Sequence, residues 1–264
     1  AGLLPMRALT HVRATVRLVL ILLVAFVAAV LLLLASALLM PFPRARSRVG
    51  TSILDLTVAA GCRLTGMRIT VVGAPPKPPF LLVANHLGYL DILLTRQTTK
   101  TRFISKAEVA QWPLFGALAR MTGTLFLERR NKRDLTRING MLDEVWQQGS
   151  GITVFPEGTS TSGRGVAPFH AGLLAFPAET ARPVHTATIH YETTGGPPAA
   201  EALCWWGDMT FLDHLYGLLR MRHFQARITF APLPLTHPAR KDLAAALREQ
   251  VLQSFQPVEG APAA

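Results

Sequence analysis

His86 and Asp91 stand five residues apart in Asn85-His86-Leu87-Gly88-Tyr89-Leu90-Asp91. An imidazole steered by a carboxylate is a common device for moving a proton near neutral pH. On a continuous helix the two side chains would point about 140° apart, so they meet only if the chain turns between them, and Gly88 permits that turn. Asp91 would then fix the imidazole tautomer while His86 takes a proton from a hydroxyl, help worth ~10²–10⁴-fold in rate. Spacing alone fits a loop histidine capped by a carboxylate as well. A second cluster, Gly123 to Arg130, ends in Arg129 and Arg130. A guanidinium there suits a phosphate held by two parallel bonds, or a solvated basic rim. A third, Phe155-Pro156-Glu157-Gly158-Thr159-Ser160, offers backbone N–H groups, hydroxyl donors and a carboxylate to an anion or a polyol, and is equally compatible with a polar turn.

Other chemistries fit poorly. Gly158-Thr159-Ser160-Thr161-Ser162 lacks the final glycine of a nucleophile elbow. No phosphate-binding P-loop or dinucleotide fingerprint occurs. His185 and His190 fall an odd number of residues apart on one strand and so face opposite ways, which argues against a shared metal ion. Cys62 and Cys204 form no C-x-x-C pair and do not make a disulfide scaffold. No metal and no resident cofactor are expected.

Each cluster follows a predicted strand. Met67–Val72 alternates and ends at Gly73 and a proline-rich turn, and Phe80–Ala84 is a continuous apolar run read as a buried strand. Further strands are predicted at Phe103–Ile104, Thr124–Leu127, Ile152–Phe155, Val184–Tyr191 and Gln225–Ala231. Helices are predicted at Ala107–Met121 (interrupted by Pro113), Arg133–Gln148, Ala171–Thr180 and Arg240–Phe255. Alternation of this kind implies an α/β fold, a mixed, largely parallel sheet flanked by helices. In such sheets ligands sit off the carboxyl ends of strands, where all three clusters fall.

Ahead of this body, Leu18 to Met40 is apolar except for Ser36. As a helix it would be about 34 Å long, enough to cross a hydrocarbon core of about 30 Å. Ala35-Ser36-Ala37 also resembles a signal-peptide cleavage site, but the run is long for that and Arg44, Arg46 and Arg48 follow it. Basic residues flank the run on both sides, so charge leaves its orientation open. Ile53–Leu64 is too short to span and reads as an interfacial helix or a core helix. The predicted organisation is a basic segment at 1–17, a membrane-anchoring helix at 18–40, a linker at 41–66, a catalytic domain at 67–255 and a flexible tail at 256–264. The chain carries 27 Lys and Arg against 16 Asp and Glu, a formal charge of +11. With the apolar run beside it, that charge points to an anionic membrane surface rather than to nucleic acid.

Taken together and in order, the three clusters resemble the glycerophospholipid acyltransferase family, which includes lysophosphatidate acyltransferases. The resemblance covers Phe80 to Tyr191. Asn85, His86 and Asp91 match an N-H-x-x-x-x-D block, Gly123, Phe126 and Arg129 a G-x-x-F-x-x-R block, and Phe155–Thr159 an F-P-E-G-T block. Lys106 with Glu108 and Pro113 to Gly116 match a linking segment, and Phe169 with Gly172 a further pattern before the last strand. The resemblance implies that His86 is the base for a lysolipid hydroxyl and Asp91 its partner. It makes Asn85, Lys106, Arg129, Glu157, Gly158 and Thr159 the candidates for binding substrate, with backbone N–H groups near Gly158 facing the oxyanion. It implies membrane lipids and an acyl thioester (acyl-coenzyme A or acyl carrier protein) as partners, and a catalytic body on the cytoplasmic face of the inner or cell membrane. The expected acceptor is 1-acylglycerol-3-phosphate, with lyso-ornithine lipid or another lysolipid as the alternative; the reading of a different class is a non-enzymatic, membrane-anchored binder of anionic lipid. Two departures bear on the acceptor. Ser160 stands where many phosphatidate-forming members have a basic residue, and the proline usual in the last apolar strand is missing from Val184–Thr188.

Overall fold

The computed structural model describes residues 3–111, 116, 123–127 and 132–262. Seven strands form one sheet: β1 (Met67–Val72), β2 (Phe80–Ala84), β3 (Arg102–Lys106), β4 (Leu125–Leu127), β5 (Gly151–Val154), β6 (Val184–Thr193) and β7 (Phe224–Phe230). Their order is β1-β7-β6-β2-β5-β3-β4. Every neighbouring pair is parallel except β6 with β7. The carboxyl ends of β2, β3, β4, β5 and β6 therefore share one sheet edge, as the predicted α/β layering requires.

Strand periodicity divides the core in two. In β2, Phe80, Leu82 and Ala84 pack with Val58 and Cys62 of helix α2 (Pro43–Thr65) and Leu90 and Leu94 of α3 (Leu90–Thr99). Leu81 and Val83 point the other way, into Ile138, Leu142 and Val145 of α4 (Lys132–Gln147) and Leu247 and Val251 of the C-terminal helix Arg240–Gln253. A strand apolar at every position can only be covered on both faces, which accounts for its unbroken hydrophobic run.

The N-terminal region differs from the expected arrangement. A single helix α1 runs Leu3–Leu38, through the expected boundary at 17/18, and α2 starts at Pro43 rather than Ile53. Proline is well tolerated in the first helical turn, where its missing N–H costs no bond, and Gly66 in a left-handed conformation closes the helix. The buried seam of α1 includes Ala14, Ala25 and Ala28, small residues that allow close helix approach. Helix α5 (Phe211–Arg220), which was not predicted, packs beside it. The Arg13 guanidinium donates to Arg220 O at 2.9 Å, and Arg17 donates to Met221 O at 2.5 Å and Arg222 O at 2.9 Å. Two predicted flanking charges thus satisfy the orphan carbonyls at the end of α5 and complement its dipole.

The segment expected as a flexible tail is tied to the body at Val258 and Glu259. Val258 is buried and donates its N–H to Gly163 O at 2.8 Å, and Glu259 O accepts from Ala200 N–H at 2.9 Å. Its polar, proline-containing composition suggested freedom that these two strap-like bonds remove. The predicted helix over 107–121 lies largely outside the described residues; its first part, Ala107–Gln111, is a 3₁₀ turn.

Candidate active site

The end of β2 is fixed before the first polar cluster begins. Asn85 Nδ2 donates to Ile189 O at 3.0 Å and Asn85 Oδ1 accepts from Ile189 N–H at 2.7 Å, extending the β2–β6 pairing beyond Ala84. The chain then turns through 86–89 into α3, with Asp91 in the first helical turn. A Cβ on Gly88 would lie 3.0 Å from Trp205 N, and Trp205 N–H donates to Leu87 O at 2.8 Å, so glycine is what lets the turn lie against that backbone.

Asp91 is fully buried, 0% exposed. Its Oδ2 accepts from the Leu87 N–H at 2.7 Å and the Gly88 N–H at 3.0 Å, and lies 2.7 Å from His86 Nδ1. Its Oδ1 accepts the Tyr191 hydroxyl at 2.7 Å. A buried carboxylate is costly unless its lone pairs are satisfied, and here both oxygens are, at the favourable end of a helix dipole. The carboxylate holds the proton on Nδ1 and leaves Nε2 as the basic nitrogen. The imidazole stacks on Phe155 with ring centroids 4.4 Å apart and remains 21% exposed, enough to meet a substrate hydroxyl.

The loop after β5 grips the His86 backbone from both sides. Glu157 Oε1 accepts the His86 N–H at 2.7 Å, and Thr161 N–H donates to His86 O at 2.9 Å. Glu157 Oε2 accepts the Ala167 N–H at 2.7 Å. Burial pushes the Glu157 carboxyl up to about 7, against the opposing pull of the Ala167 and His86 N–H bonds. Arg248 of the C-terminal helix holds the far side of the loop, donating from Nε to Val166 O at 3.0 Å and Ala167 O at 3.2 Å.

His86 and Asp91 are therefore brought together. Asn85 and Glu157, expected as direct substrate ligands, are buried and bonded to backbone, which makes them braces for the turn and its facing loop. Gly158 takes φ +79° and turns its N–H to Phe155 O at 3.2 Å, while Thr159 is exposed at the loop surface. Lys106 ends β3 on the same sheet edge as His86, two strands from β2 and so on the order of 10 Å across the sheet. The side chain of Lys106 and the whole of Arg129 lie outside the described residues. Tyr191, Thr161 and Arg248 were missed. Only Tyr191 carried a signal, since a tyrosine in an apolar strand must find a partner for its hydroxyl once buried.

The chain is similar to known acyltransferases. A family model described as Acyltransferase matches residues 68–190. Lyso-ornithine lipid O-acyltransferases of Rhodobacter capsulatus and Pseudomonas aeruginosa are each 37% identical, over 196 and 191 residues, covering 71% and 72% of this chain and 70% and 73% of theirs. The 1-acyl-sn-glycerol-3-phosphate acyltransferase of Neisseria meningitidis is 29% identical over 187 residues, 70% of this chain and 71% of its own. The crystal structure of the 1-acyl-sn-glycerophosphate acyltransferase from Thermotoga maritima superposes with a TM-score of 0.59 over 91% of this chain and 97% of that one; at 21% identity it speaks for the fold alone.

Proposed function

The chain belongs to the acyltransferase family, and on that premise we propose that His86 and Asp91 catalyse direct transfer of a fatty acyl group from a thioester to the free hydroxyl of a lysolipid. His86 Nε2 removes the hydroxyl proton as the oxygen attacks the thioester carbonyl carbon. The tetrahedral oxyanion collapses, the C–S bond breaks, and the thiolate takes the proton from the imidazolium. Asp91 stabilises that cation through Nδ1–H. No acyl-enzyme forms, so no Ser or Cys nucleophile is called for. The single observation that carries this reading is the 2.7 Å His86–Asp91 contact in a turn at the carboxyl end of a parallel strand.

For the acceptor we place lyso-ornithine lipid ahead of 1-acylglycerol-3-phosphate, the reverse of the order expected from the family resemblance alone. Two observations support this order. Ser160, a neutral residue, follows Glu157-Gly158-Thr159. The relatives named for lyso-ornithine lipid are also the more identical, 37% against 29%. In this reading Lys106, Arg129, Gly158 and Thr159 contact substrate while Asn85 and Glu157 position the turn. The donor is acyl-coenzyme A or acyl carrier protein, the latter matched by the +11 charge. Both thioesters are cytosolic, so residues 67–255 face the cytoplasm with 18–40 holding them to the membrane, and nucleic acid is not a partner. The test is an acceptor panel with one labelled acyl thioester. Transfer to lyso-ornithine lipid well above lysophosphatidate is expected; the opposite order overturns the acceptor, and transfer to no lysolipid overturns the reaction.

A further inference from the structure

A cleft lies at the sheet edge opposite His86, where the parallel strands begin. This cavity, of about 470 Å³ and open to the surface, runs between the α1–α2 hairpin and the base of the catalytic body. One wall is apolar: Leu32 and Ala35 of α1 and Leu54 of α2. The rest of the lining carries the cations Arg46, also of α2, and Arg96, Lys100 and Arg102 of the body. We propose that this cavity binds the phosphate of an anionic membrane lipid, with the acyl chains lying along α1.

Charge balance in the cavity is the first support. Asp55 pairs with Arg96 at 3.0 Å and Lys100 at 3.3 Å, and no carboxylate among the described residues pairs with Arg46 or Arg102. Arg96 is 3% exposed and its Nε has no acceptor. Burial and the nearby Arg96 charge both push the Arg102 pKa down, the mark of a cation whose neighbourhood is short of negative charge. A phosphate would supply that charge and bridge several donors at once.

Backbone conformation is the second. Lys100 closes α3 in the left-handed region, φ +59°, where glycine is the favoured residue. A lysine held there at a conformational cost places an ammonium in the cavity wall, and strain of this sort collects at binding sites. The apolar wall then chooses between sources of phosphate. Leu32 and Ala35 belong to the helix whose outer surface exposes Leu31, Leu33 and Leu34, so the cavity mouth opens where bilayer lipid must lie. A free phosphate ion would gain nothing from that wall.

The test titrates the full-length protein, in neutral detergent, with dihexanoyl phosphatidylglycerol, dihexanoyl phosphatidylcholine and inorganic phosphate. Its key variant is Lys100→Gly with Arg102→Ala. The glycine relieves the left-handed strain, circular dichroism checks that the variant keeps its fold, and neither residue belongs to the catalytic turn. Saturable binding of phosphatidylglycerol is expected, weakened at least tenfold in the variant and unchanged by Arg240→Ala with Lys241→Ala, which removes equal charge elsewhere. Phosphatidylcholine should bind less tightly, and inorganic phosphate far more weakly. Inorganic phosphate binding as tightly as phosphatidylglycerol would make this a phosphate-ion site and overturn the lipid. Equal loss in the two variants, or none in either, would overturn the site itself.

Discussion

Asp91 is bonded to four groups, and two of them, the Leu87 and Gly88 backbone N–H groups, are donors that cannot become acceptors for an amide. Asp91→Asn therefore keeps those two bonds only with its NH₂ turned to the Tyr191 hydroxyl, which must then accept rather than donate, and it withdraws the charge that stabilises imidazolium. The expected result is a ~10²–10⁴-fold fall in kcat with the fold retained, read by steady-state kinetics beside circular dichroism. Tyr191→Phe is gentler: it leaves Asp91 Oδ1 buried without its donor, which should cost about 1–3 kcal/mol in a denaturant titration. Glu157 brings a pH dependence. Its carboxyl sits near 7 in the folded chain against an ordinary value near 4.5, so folding takes up a proton here between those values. Its contribution to stability is complete below about pH 4.5 and is lost as pH rises through about 7. The stability of the native protein relative to Glu157→Gln should accordingly fall between pH 5 and about 8, and a flat or rising difference would contradict the buried carboxyl. Of these residues, His86 and Asp91 were legible because they share one turn and Gly88 announces it. The partner of Tyr191 was not, because only the pairing of β2 with β6 brings a residue a hundred positions away onto Asp91.

Between elements, the loop from Phe155 to His170 is held by the C-terminal helix, which is linked to the catalytic turn through a chain of hydrogen bonds. Arg248 donates to Val166 O and Ala167 O, Ala167 donates to Glu157, and Glu157 accepts from His86. Arg248→Ala should loosen this chain at its outer end, lowering kcat/KM about tenfold, with charged hydrogen bonds of this type contributing about 1.5–3 kcal/mol. Faster amide exchange at Ala167 in the variant would locate the effect in the loop; unchanged exchange would mean Arg248 acts elsewhere. Elements were legible where pattern and tertiary demand agreed. The unbroken apolar run of β2 needs two covered faces and receives them. Helix α3 was missed because Thr95, Thr98 and Thr99 depress helix propensity, a weak local preference that packing of Leu90 and Leu94 overrides. Helix α5 was missed for a related reason: Gly217 and a short length hide its periodicity, and the arginines that finish it come from α1, two hundred residues earlier.

At the scale of the whole molecule, α1 carries two surfaces with different obligations. Its seam, Ala14, Ala25 and Ala28, is consumed by the body, while Leu20, Leu23, Phe26, Val27, Leu31 and Leu34 stay exposed along a helix about 54 Å long. An apolar surface of that extent on an isolated protein demands a cover, and for an enzyme of membrane lipids the cover is the bilayer. The attachment should then be hydrophobic in kind, although the chain's +11 charge suggests an ionic one. The two differ in their response to salt. At 1 M salt the screening length falls to about 3 Å, which abolishes attraction between surface charges but leaves apolar burial intact or stronger. Membranes washed at that ionic strength should keep the protein, and neutral detergent should release it. Leu23→Asp, on the exposed surface, puts a charge costing about 2.5–3.5 kcal/mol at the centre of a membrane helix, so it should shift the chain into the soluble fraction while leaving thermal unfolding of the body unchanged. Ala25→Asp, two residues away on the seam, should do the reverse, because its carboxylate would be buried against the protein itself. Release of the native chain by salt alone would mean that the arginines, rather than the outer face of α1, hold it to the membrane.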